Sequence, residues 1–150
     1  MHSPAGYSVR VASSVDADAV FDLARRFATS FDVQEQRFRP AFQQVVADPA
    51  ACVRVAVADG AVVGYVLAFA HATFFANGPV AWVEELMVAE AHRRRGVGEA
   101  LMGAATAWAE GRGCRMVALA TRRASAFYAA LGYEASATYF RKIIDPPANA

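Results

Sequence analysis

The residues best suited to chemistry lie in one stretch of the chain. Three consecutive arginines, Arg93 to Arg95, are followed by Gly96 and Gly98, and the apolar residues after them repeat at helical spacing. An apolar run that predicts a strand precedes the arginines. A glycine-containing turn before a helix directs backbone N–H groups into one concavity at the positive end of the helix dipole. The arginines add charge and bidentate donors. The stretch therefore predicts a binding site for a phosphate or pyrophosphate.

Two common phosphate-binding motifs do not fit this stretch. A P-loop requires Lys followed by Ser or Thr after its second glycine, whereas Gly103 is followed by Ala104 and Ala105. A dinucleotide fingerprint requires a third small residue where Leu101 stands, and an acidic residue at the end of a second strand about 20 residues further on. The sequence has neither, so the anion belongs to another class of ligand.

The composition restricts the class of protein. The 150 residues fit one domain, 1–150, with a core over residues 7–144. Hydrophobic residues at 56% and charged residues at 19% indicate a compact globular protein. The net charge of +1 argues against a nucleic-acid-binding protein, which usually presents a basic face. No apolar run reaches the ~18 residues needed to cross a bilayer, so no membrane partner is expected.

The cysteines and the first residues bear on the compartment. Cys52 and Cys114 have no partner motif and no metal-ligand spacing, so we interpret both as reduced thiols and expect no metal. The chain does not open with a basic region leading into an apolar run. These features favour a cytoplasmic protein.

Hydrophobic periodicity predicts alternating strands and helices. Strands are predicted over residues 7–12, 52–58, 61–70, 81–88 and 116–120, with Asp59-Gly60 as a hairpin turn. Helices are predicted after Ser13 or Ser14, from Pro40 to a point before Pro49, from Glu99 to Gly111, and over 124–131. Residues 133–144 are expected to add one more hairpin or two short strands. This order predicts an α+β domain with a mixed sheet.

Two motifs in this order resemble the GNAT N-acetyltransferase superfamily. Residues 93–98, Arg-Arg-Arg-Gly-Val-Gly, match its acyl-CoA-binding signature, Arg/Gln-x-x-Gly-x-Gly/Ala. Residues 124–133, Ala-Ser-Ala-Phe-Tyr-Ala-Ala-Leu-Gly-Tyr, are similar to its Ala-x-x-Phe-Tyr-x-x-Leu-Gly-Phe. The resemblance covers about residues 7–144. It implies a mixed, mostly antiparallel central sheet flanked by helices, with a parallel β-α-β unit that binds the cofactor.

The resemblance also implies acetyl-CoA as co-substrate, with no metal. The pyrophosphate would be held by the turn of Arg93, Arg94, Arg95, Gly96, Val97 and Gly98. Met87 and Val88 would pair their backbone with the pantetheine where strand pairing is interrupted, and the N–H of Val88 would polarise the thioester carbonyl. Phe127, in the second motif, completes the predicted cofactor site together with Thr121, which stands where many members carry a longer Asn.

Acetyl transfer to an amine requires two proton transfers. An amine of pKa ~10 is mostly protonated at pH 7 and must lose a proton before it attacks, and the CoA thiolate leaves more easily once protonated. Tyr128 stands where the family places its general acid. Glu84 is similar in position to the strand carboxylate of the spermidine/spermine acetyltransferase branch, and would accept the amine proton directly or through water. Because strand side chains alternate, only one of Glu84 and Glu85 should line the site; Glu84 is favoured, and Glu85 is the alternative.

The predicted function is acetyl transfer from acetyl-CoA to a primary amine of a small molecule, by direct attack in a ternary complex. One alternative is the same reaction on a protein N-terminus or lysine. Another is a non-catalytic acyl-CoA-binding regulatory domain, which would need neither Tyr128 nor Glu84. The acceptor would be bounded by the Phe31–Phe42 region, the Phe74-Phe75 loop and the C-terminal strands. Family members are often dimers, so a homodimer stays open.

Overall fold

The computed structural model describes residues 3–144. Its strands and helices, in chain order, are β1 (Tyr7–Val11), α1 (Ala17–Phe27), α2 (Glu35–Val46), β2 (Ala51–Ala58), β3 (Ala61–His71), β4 (Val80–Val88), α3 (Val97–Gly111), β5 (Val117–Leu119) and α4 (Ser125–Ala130). Two 3₁₀ turns, Ser14–Asp16 and Glu90–His92, precede α1 and follow β4. The predicted order of elements is confirmed as far as α4.

The five strands form one sheet in the order β1-β2-β3-β4-β5. The first four are antiparallel to their neighbours, whereas β5 runs parallel to β4 and is joined to it through α3. The β2–β3 hairpin turns at Asp59-Gly60, where both residues have positive φ, as the Asp-Gly sequence predicts. The mixed, mostly antiparallel sheet with one parallel β-α-β unit is therefore confirmed.

Each face of the sheet is covered by helices. Apolar side chains of β2 and β3 pack with those of α1 and α2 in one cluster that includes Val55, Tyr65, Leu23 and Phe42. Next to Tyr65 along β3 is Gly64, which faces Leu101 of α3 instead. Because successive strand residues point to opposite faces, α3 covers the other face of the sheet. The buried residues of α3 are Val97, Ala100, Leu101, Met102, Ala105 and Ala109.

The start of α2 differs from the prediction. Pro40 was expected to open this helix, but α2 begins at Glu35 and contains Pro40 in its second turn. Proline inside a helix removes one backbone donor, which costs stability. Packing compensates here, because Phe38 contacts both Phe21 of α1 and Phe42 one turn further on. Tertiary contacts thus extend the helix N-terminally past the residue that usually marks its start.

The described chain divides after Leu119 into two compact units. The first contains the sheet with α1, α2 and α3, and the second contains α4. The prediction of strands within residues 133–144 is wrong, since no residue of this segment is in a strand. An alternating pattern is not sufficient for a strand, because a strand also requires a partner for its backbone ladder. The assignment of residues 1–150 to one domain stays a prediction.

Candidate active site

Strand β4 loses its neighbour on one side half-way along its length. Its parallel pairing with β5 covers Ala81, Trp82 and Val83 only, and within residues 3–144 no strand pairs with residues 84–88 on that side. On the other side, pairing with β3 continues to the last residue, Val88. The sheet therefore splits between β4 and β5 just beyond Val83, as the predicted interruption of strand pairing requires.

The backbone of Val88 points toward this split. Ala89, the next residue, donates its N–H to the carbonyl of Val63 on the β3 side, at 2.8 Å. Because the polar groups of successive strand residues alternate between the two sides, those of Val88 point away from β3. Its carbonyl accepts a hydrogen bond from Nε of Arg93 at 2.9 Å, whereas its N–H is directed into the split.

A β-bulge interrupts β4 at Glu84. Leu67 is paired with Glu85 and Ala68 with Val83, so Glu84 is an extra residue without a partner on β3. A bulge disturbs the side-chain alternation on which the expectation for the two glutamates was based. The two carboxylates nevertheless lie in different surroundings, since Glu84 is exposed and Glu85 is partly buried.

The Glu85 carboxylate is bound by a tyrosine that the sequence analysis did not single out. The phenol of Tyr65 donates a hydrogen bond to Oε1 of Glu85 at 2.6 Å, and Tyr65 is only 2% exposed. Burial raises the pKa of Glu85, the hydrogen bond from Tyr65 opposes this, and the nearby charge of Glu84 raises it further. No motif marked Tyr65, because an aromatic residue in an apolar strand usually indicates packing.

The turn before α3 has the backbone geometry of an anion site. Arg94 (φ 63°) and Gly96 (φ 82°) are both left-handed, and α3 begins at Val97. An arginine in this conformation is uncommon and strained, and strained residues of this kind recur at ligand-binding sites. Gly96 is the N-cap and provides no side-chain acceptor for the first N–H groups of α3. These donors are therefore left for a ligand.

The three arginines of the turn are exposed, and none pairs with a carboxylate among residues 3–144. They are not equivalent. Arg93 binds back to β4 through the carbonyl of Val88, and its guanidinium also reaches the Met87 sulfur at 3.8 Å. It therefore holds the turn against the end of β4, whereas Arg94 and Arg95 have no such contact within the described chain.

A second side-chain contact holds the same turn and was not foreseen. The Tyr7 hydroxyl lies 2.9 Å from Nδ1 of His92, and the two rings meet edge to face with centroids 5.7 Å apart. This contact joins β1 to the 3₁₀ turn that leads into the arginines. A lone histidine in a loop carries no signal in the sequence from which a distant partner such as Tyr7 can be inferred.

The remaining predicted residues belong to the second unit. Oγ1 of Thr121 accepts a hydrogen bond from the N–H of Ala124 at 3.1 Å, which supports the start of α4. On α4, the Tyr128 ring meets Phe127 and Tyr133 edge on, with centroids at 4.9 and 5.8 Å. Burial, and to a smaller extent Tyr133, raise the pKa of the Tyr128 phenol. A raised pKa keeps the phenol protonated at neutral pH, as a proton donor requires.

Two further properties concern the kind of site. Among residues 3–144, no group of three or more His, Cys, Asp or Glu side chains is arranged to hold a metal ion. No helix in this part of the chain is both long and apolar enough to cross a membrane.

The sequence matches the family model described as "Acetyltransferase (GNAT) family" over residues 17–133, which is well over half of the chain. The chain belongs to the GNAT family. It is accordingly an N-acetyltransferase, and members of this family use acetyl-CoA. No curated protein matches the sequence significantly.

Solved structures show the same GNAT fold. A provisionally assigned acetyltransferase from Agrobacterium tumefaciens str. C58 is 26% identical, with a TM-score of 0.82 over 91% of this chain and 99% of that one. Glucosamine-6-phosphate N-acetyltransferase from Arabidopsis thaliana is 16% identical, with a TM-score of 0.83 over 93% and 99%. Aminoglycoside antibiotic 6'-N-acetyltransferase AAC(6')-IG from Acinetobacter haemolyticus is 23% identical, with a TM-score of 0.75 over 92% and 99%.

Proposed function

We propose that this GNAT protein transfers the acetyl group of acetyl-CoA to a primary amine of a small molecule, by direct attack in a ternary complex. The observation that carries the proposal is the split between β4 and β5, which ends next to a glycine-capped basic turn. A free strand edge suits the amide groups of pantetheine, and free helix N–H groups suit a pyrophosphate. The strand edge and the turn adjoin each other, just as the pantetheine and the pyrophosphate do in acetyl-CoA.

The residues of the turn and of β4 fit this co-substrate. The N–H groups of Gly96, Val97 and Gly98, with the charges of Arg94 and Arg95, would bind the pyrophosphate. By the same alternation the polar backbone groups of Met87 point toward Tyr65 on β3, so the N–H of Val88 is the group that would bind the pantetheine, while Arg93 fixes the carbonyl of Val88. Thr121 and Phe127 are proposed as further contacts to the CoA arm, although the Thr121 oxygen already accepts one hydrogen bond.

Acetyl-CoA supplies the acetyl group as a thioester. The N–H of Val88 would donate to the carbonyl oxygen, where negative charge develops during attack. One of the two strand carboxylates, Glu84 or Glu85, would accept a proton from the incoming ammonium, so that the nitrogen lone pair is free to attack. Tyr128 would donate its proton to the leaving sulfur. Proton transfers of this kind typically contribute about 10²–10⁴-fold in rate.

A small-molecule acceptor is supported by the chemistry of proteins with the same fold. One acetylates glucosamine 6-phosphate, and two are aminoglycoside 6'-N-acetyltransferases, one of them solved with the bisubstrate analogue CoA-S-monomethyl-acetylneamine. We carry over only the shared class, a primary amine on a small polar molecule. A cytoplasmic location and a homodimer stay predictions. So does the assignment of the Phe31–Phe42 region and the Phe74-Phe75 loop as boundaries of the acceptor site.

The test is release of CoA thiol from acetyl-CoA in the presence of polyamines, aryl-alkyl amines, aminoglycosides, amino acids or short peptides. Cys52 is buried and Cys114 is half-buried, so a reaction without amine corrects for slow labelling of these thiols. We expect release with at least one small amine. Release with peptides alone would instead favour acetylation of proteins. Binding of acetyl-CoA without release in any reaction would favour a non-catalytic domain.

The turn can be tested in the same assay. Arg95→Ala removes an exposed cation of the turn and should raise the KM for acetyl-CoA several-fold, while the KM for the amine stays unchanged. Arg26→Ala removes another exposed arginine, at the end of α1, and serves as the matched control. Equal effects of the two substitutions would show that only general charge is involved, and would contradict a pyrophosphate site at the turn.

A further inference from the structure

Tyr65 places a polar group inside an apolar cluster. Its ring belongs to the core formed by β2, β3, α1 and α2, where its neighbours include Val55, Leu23 and Phe42. A phenylalanine would fill the same space without a hydroxyl that needs a partner. Because a buried hydroxyl without a hydrogen bond is costly, the phenol requires an acceptor, and Glu85 provides it at 2.6 Å.

The position of Glu85 on β4 gives this contact a chemical context. On β3 and β4, Tyr65 is paired with Met87, and Leu67 with Glu85. The phenol of Tyr65 therefore reaches Glu85 diagonally, from one strand to its neighbour on the same face of the sheet. Glu85 lies two residues after Val83, the last residue of β4 that is paired with β5. Its carboxylate therefore belongs to the segment of β4 beside the split, two residues before Met87.

The hydrogen bond leaves one carboxylate oxygen for a second proton donor. A phenol has one O–H, and Tyr65 donates it to Oε1. Burial, followed by the charge and the hydrogen bond of Glu85, raises the pKa of Tyr65, so the phenol stays protonated and remains the donor. Tyr65 does not occupy the second oxygen, Oε2. The side chain is thus fixed at one oxygen and available at the other.

We propose that Glu85 is the carboxylate that accepts the amine proton, and that Tyr65 is the positioning residue that fixes it. This inference rests on the proposed function and assigns one of its two candidate carboxylates. In the step, an N–H bond of the ammonium breaks, its electrons stay on nitrogen as the attacking lone pair, and the proton forms an O–H bond with Oε2. A second proton leaves the nitrogen as the amide forms and replaces the one that Tyr128 gives to the sulfur. Glu85 returns its own proton to solvent, so the overall reaction yields an amide, a free thiol and one proton.

The charged and titratable groups that act on Glu85 allow a directional test. Tyr65 on β3 lowers the pKa of Glu85 through its hydrogen bond, and Glu84 on β4 raises it through its charge. From α1 and α2 the cluster receives apolar side chains, such as Leu23 of α1 and Phe42 of α2. If Glu85 is the base, its titration sets the acid limb of the pH profile of kcat/KM for the amine.

The experiment records this pH profile for the wild type and four variants. Tyr65→Phe keeps the ring but removes the donor, so the acid limb should move to higher pH and kcat should fall. Glu84→Gln removes the neighbouring charge, so the limb should move to lower pH. Glu85→Gln should abolish the limb and lower kcat by about 10²-fold or more, with unchanged affinity for acetyl-CoA by calorimetry. Asp22→Asn replaces an exposed carboxylate on α1 by an amide. It is the matched control and should leave the acid limb in place.

The outcomes separate the possible assignments. If Glu84→Gln abolishes the limb and Tyr65→Phe does not move it, Glu84 is the base and the inference is overturned. If Tyr65→Phe lowers only the melting temperature and leaves the limb in place, Tyr65 is a packing residue and its positioning role is overturned. A wild-type protein that binds acetyl-CoA and acetylates no amine overturns the proposed function, and the inference with it.

Discussion

The Tyr128 phenol packs against Phe127 and Tyr133, and burial raises its pKa. Its hydroxyl is the proposed proton donor to the leaving sulfur, and a phenylalanine removes this hydroxyl but keeps the ring. Tyr128→Phe should lower kcat about 10²-fold and leave the dissociation constant of acetyl-CoA unchanged, since only the transfer step uses the proton. Tyr133→Phe removes a neighbouring hydroxyl and is the matched control. Unchanged turnover in Tyr128→Phe would exclude this residue from the mechanism.

The buried carboxylate of Asp16 forms an ion pair with Arg10 that contributes to the stability of the fold. Its side chain is 4% exposed, accepts two 2.8 Å hydrogen bonds from the Arg10 guanidinium and one from the N–H of Ser13. The hydrogen bonds from Arg10 are the main reason why the pKa of Asp16 lies below its usual value. Because the folded-state pKa is the lower one, this carboxylate stabilises the protein above the unfolded-state pKa of ~3.9, and the contribution is lost as pH falls through the folded-state value.

Asp16→Asn should therefore lower the free energy of unfolding at pH 7 by about 2 kcal/mol, less than for a fully buried pair because Arg10 is half exposed. The difference from the wild type should shrink progressively below about pH 4, because the unfolded chain then binds a proton that the folded chain still excludes, and it should be smallest below the folded-state pKa of Asp16. Urea unfolding at pH 7 and pH 3 measures both quantities. Asp22→Asn, which breaks only an exposed pair, should change the free energy by less than about 1 kcal/mol. An equal difference at both pH values would show that the charge of Asp16 is irrelevant.

At the scale of the elements, the end of β4 depends on a glycine in its neighbour β3. A Cβ on Gly64 would lie 2.9 Å from the carbonyl oxygen of Met87 and 3.2 Å from Cδ1 of Leu101. Gly64→Ala should displace β4 at Met87 and Val88, lower stability by about 1–3 kcal/mol and raise the KM for acetyl-CoA. Gly111→Ala, at the end of α3 where a Cβ meets nothing within 4 Å, is the control and should not destabilise. A variant with normal KM would show that the N–H of Val88 at the end of β4 does not bind the co-substrate.

The elements also show what a sequence pattern can predict. Strands and helices up to α4 follow from local periodicity and turn residues, and the motif at 93–98 correctly predicts a glycine-capped turn before α3. The bulge at Glu84 was not predictable, because it depends on how β3 and β4 are paired. The contacts of Tyr65 with Glu85 and of Tyr7 with His92 join residues 20 and 85 positions apart. Such contacts arise only from the fold, so no local pattern indicates them.

At the scale of the whole molecule, ligand binding should be visible as stabilisation. A ligand that binds only the folded chain adds about 2.7 kcal/mol at a concentration of 100 Kd, which corresponds to a rise in Tm of about 5–11 °C for a protein of this size. We expect this rise with acetyl-CoA and with CoA, which share the pyrophosphate and the pantetheine. Adenosine lacks both and should give none. A melting curve followed by circular dichroism measures the change.

The low net charge of the chain makes a polyanion a suitable control for the rise in Tm with CoA. At +1, the chain has no overall attraction for polyanions, so stabilisation by CoA must come from the local donors and cations of the turn. A DNA duplex at the same phosphate concentration should therefore leave the Tm unchanged, and Arg95→Ala should reduce the shift with CoA more than Arg26→Ala does. If DNA stabilised the chain as strongly as CoA, the turn would be acting as a general polyanion surface. A shift specific to CoA that depends on Arg95 would instead locate its pyrophosphate at the start of α3.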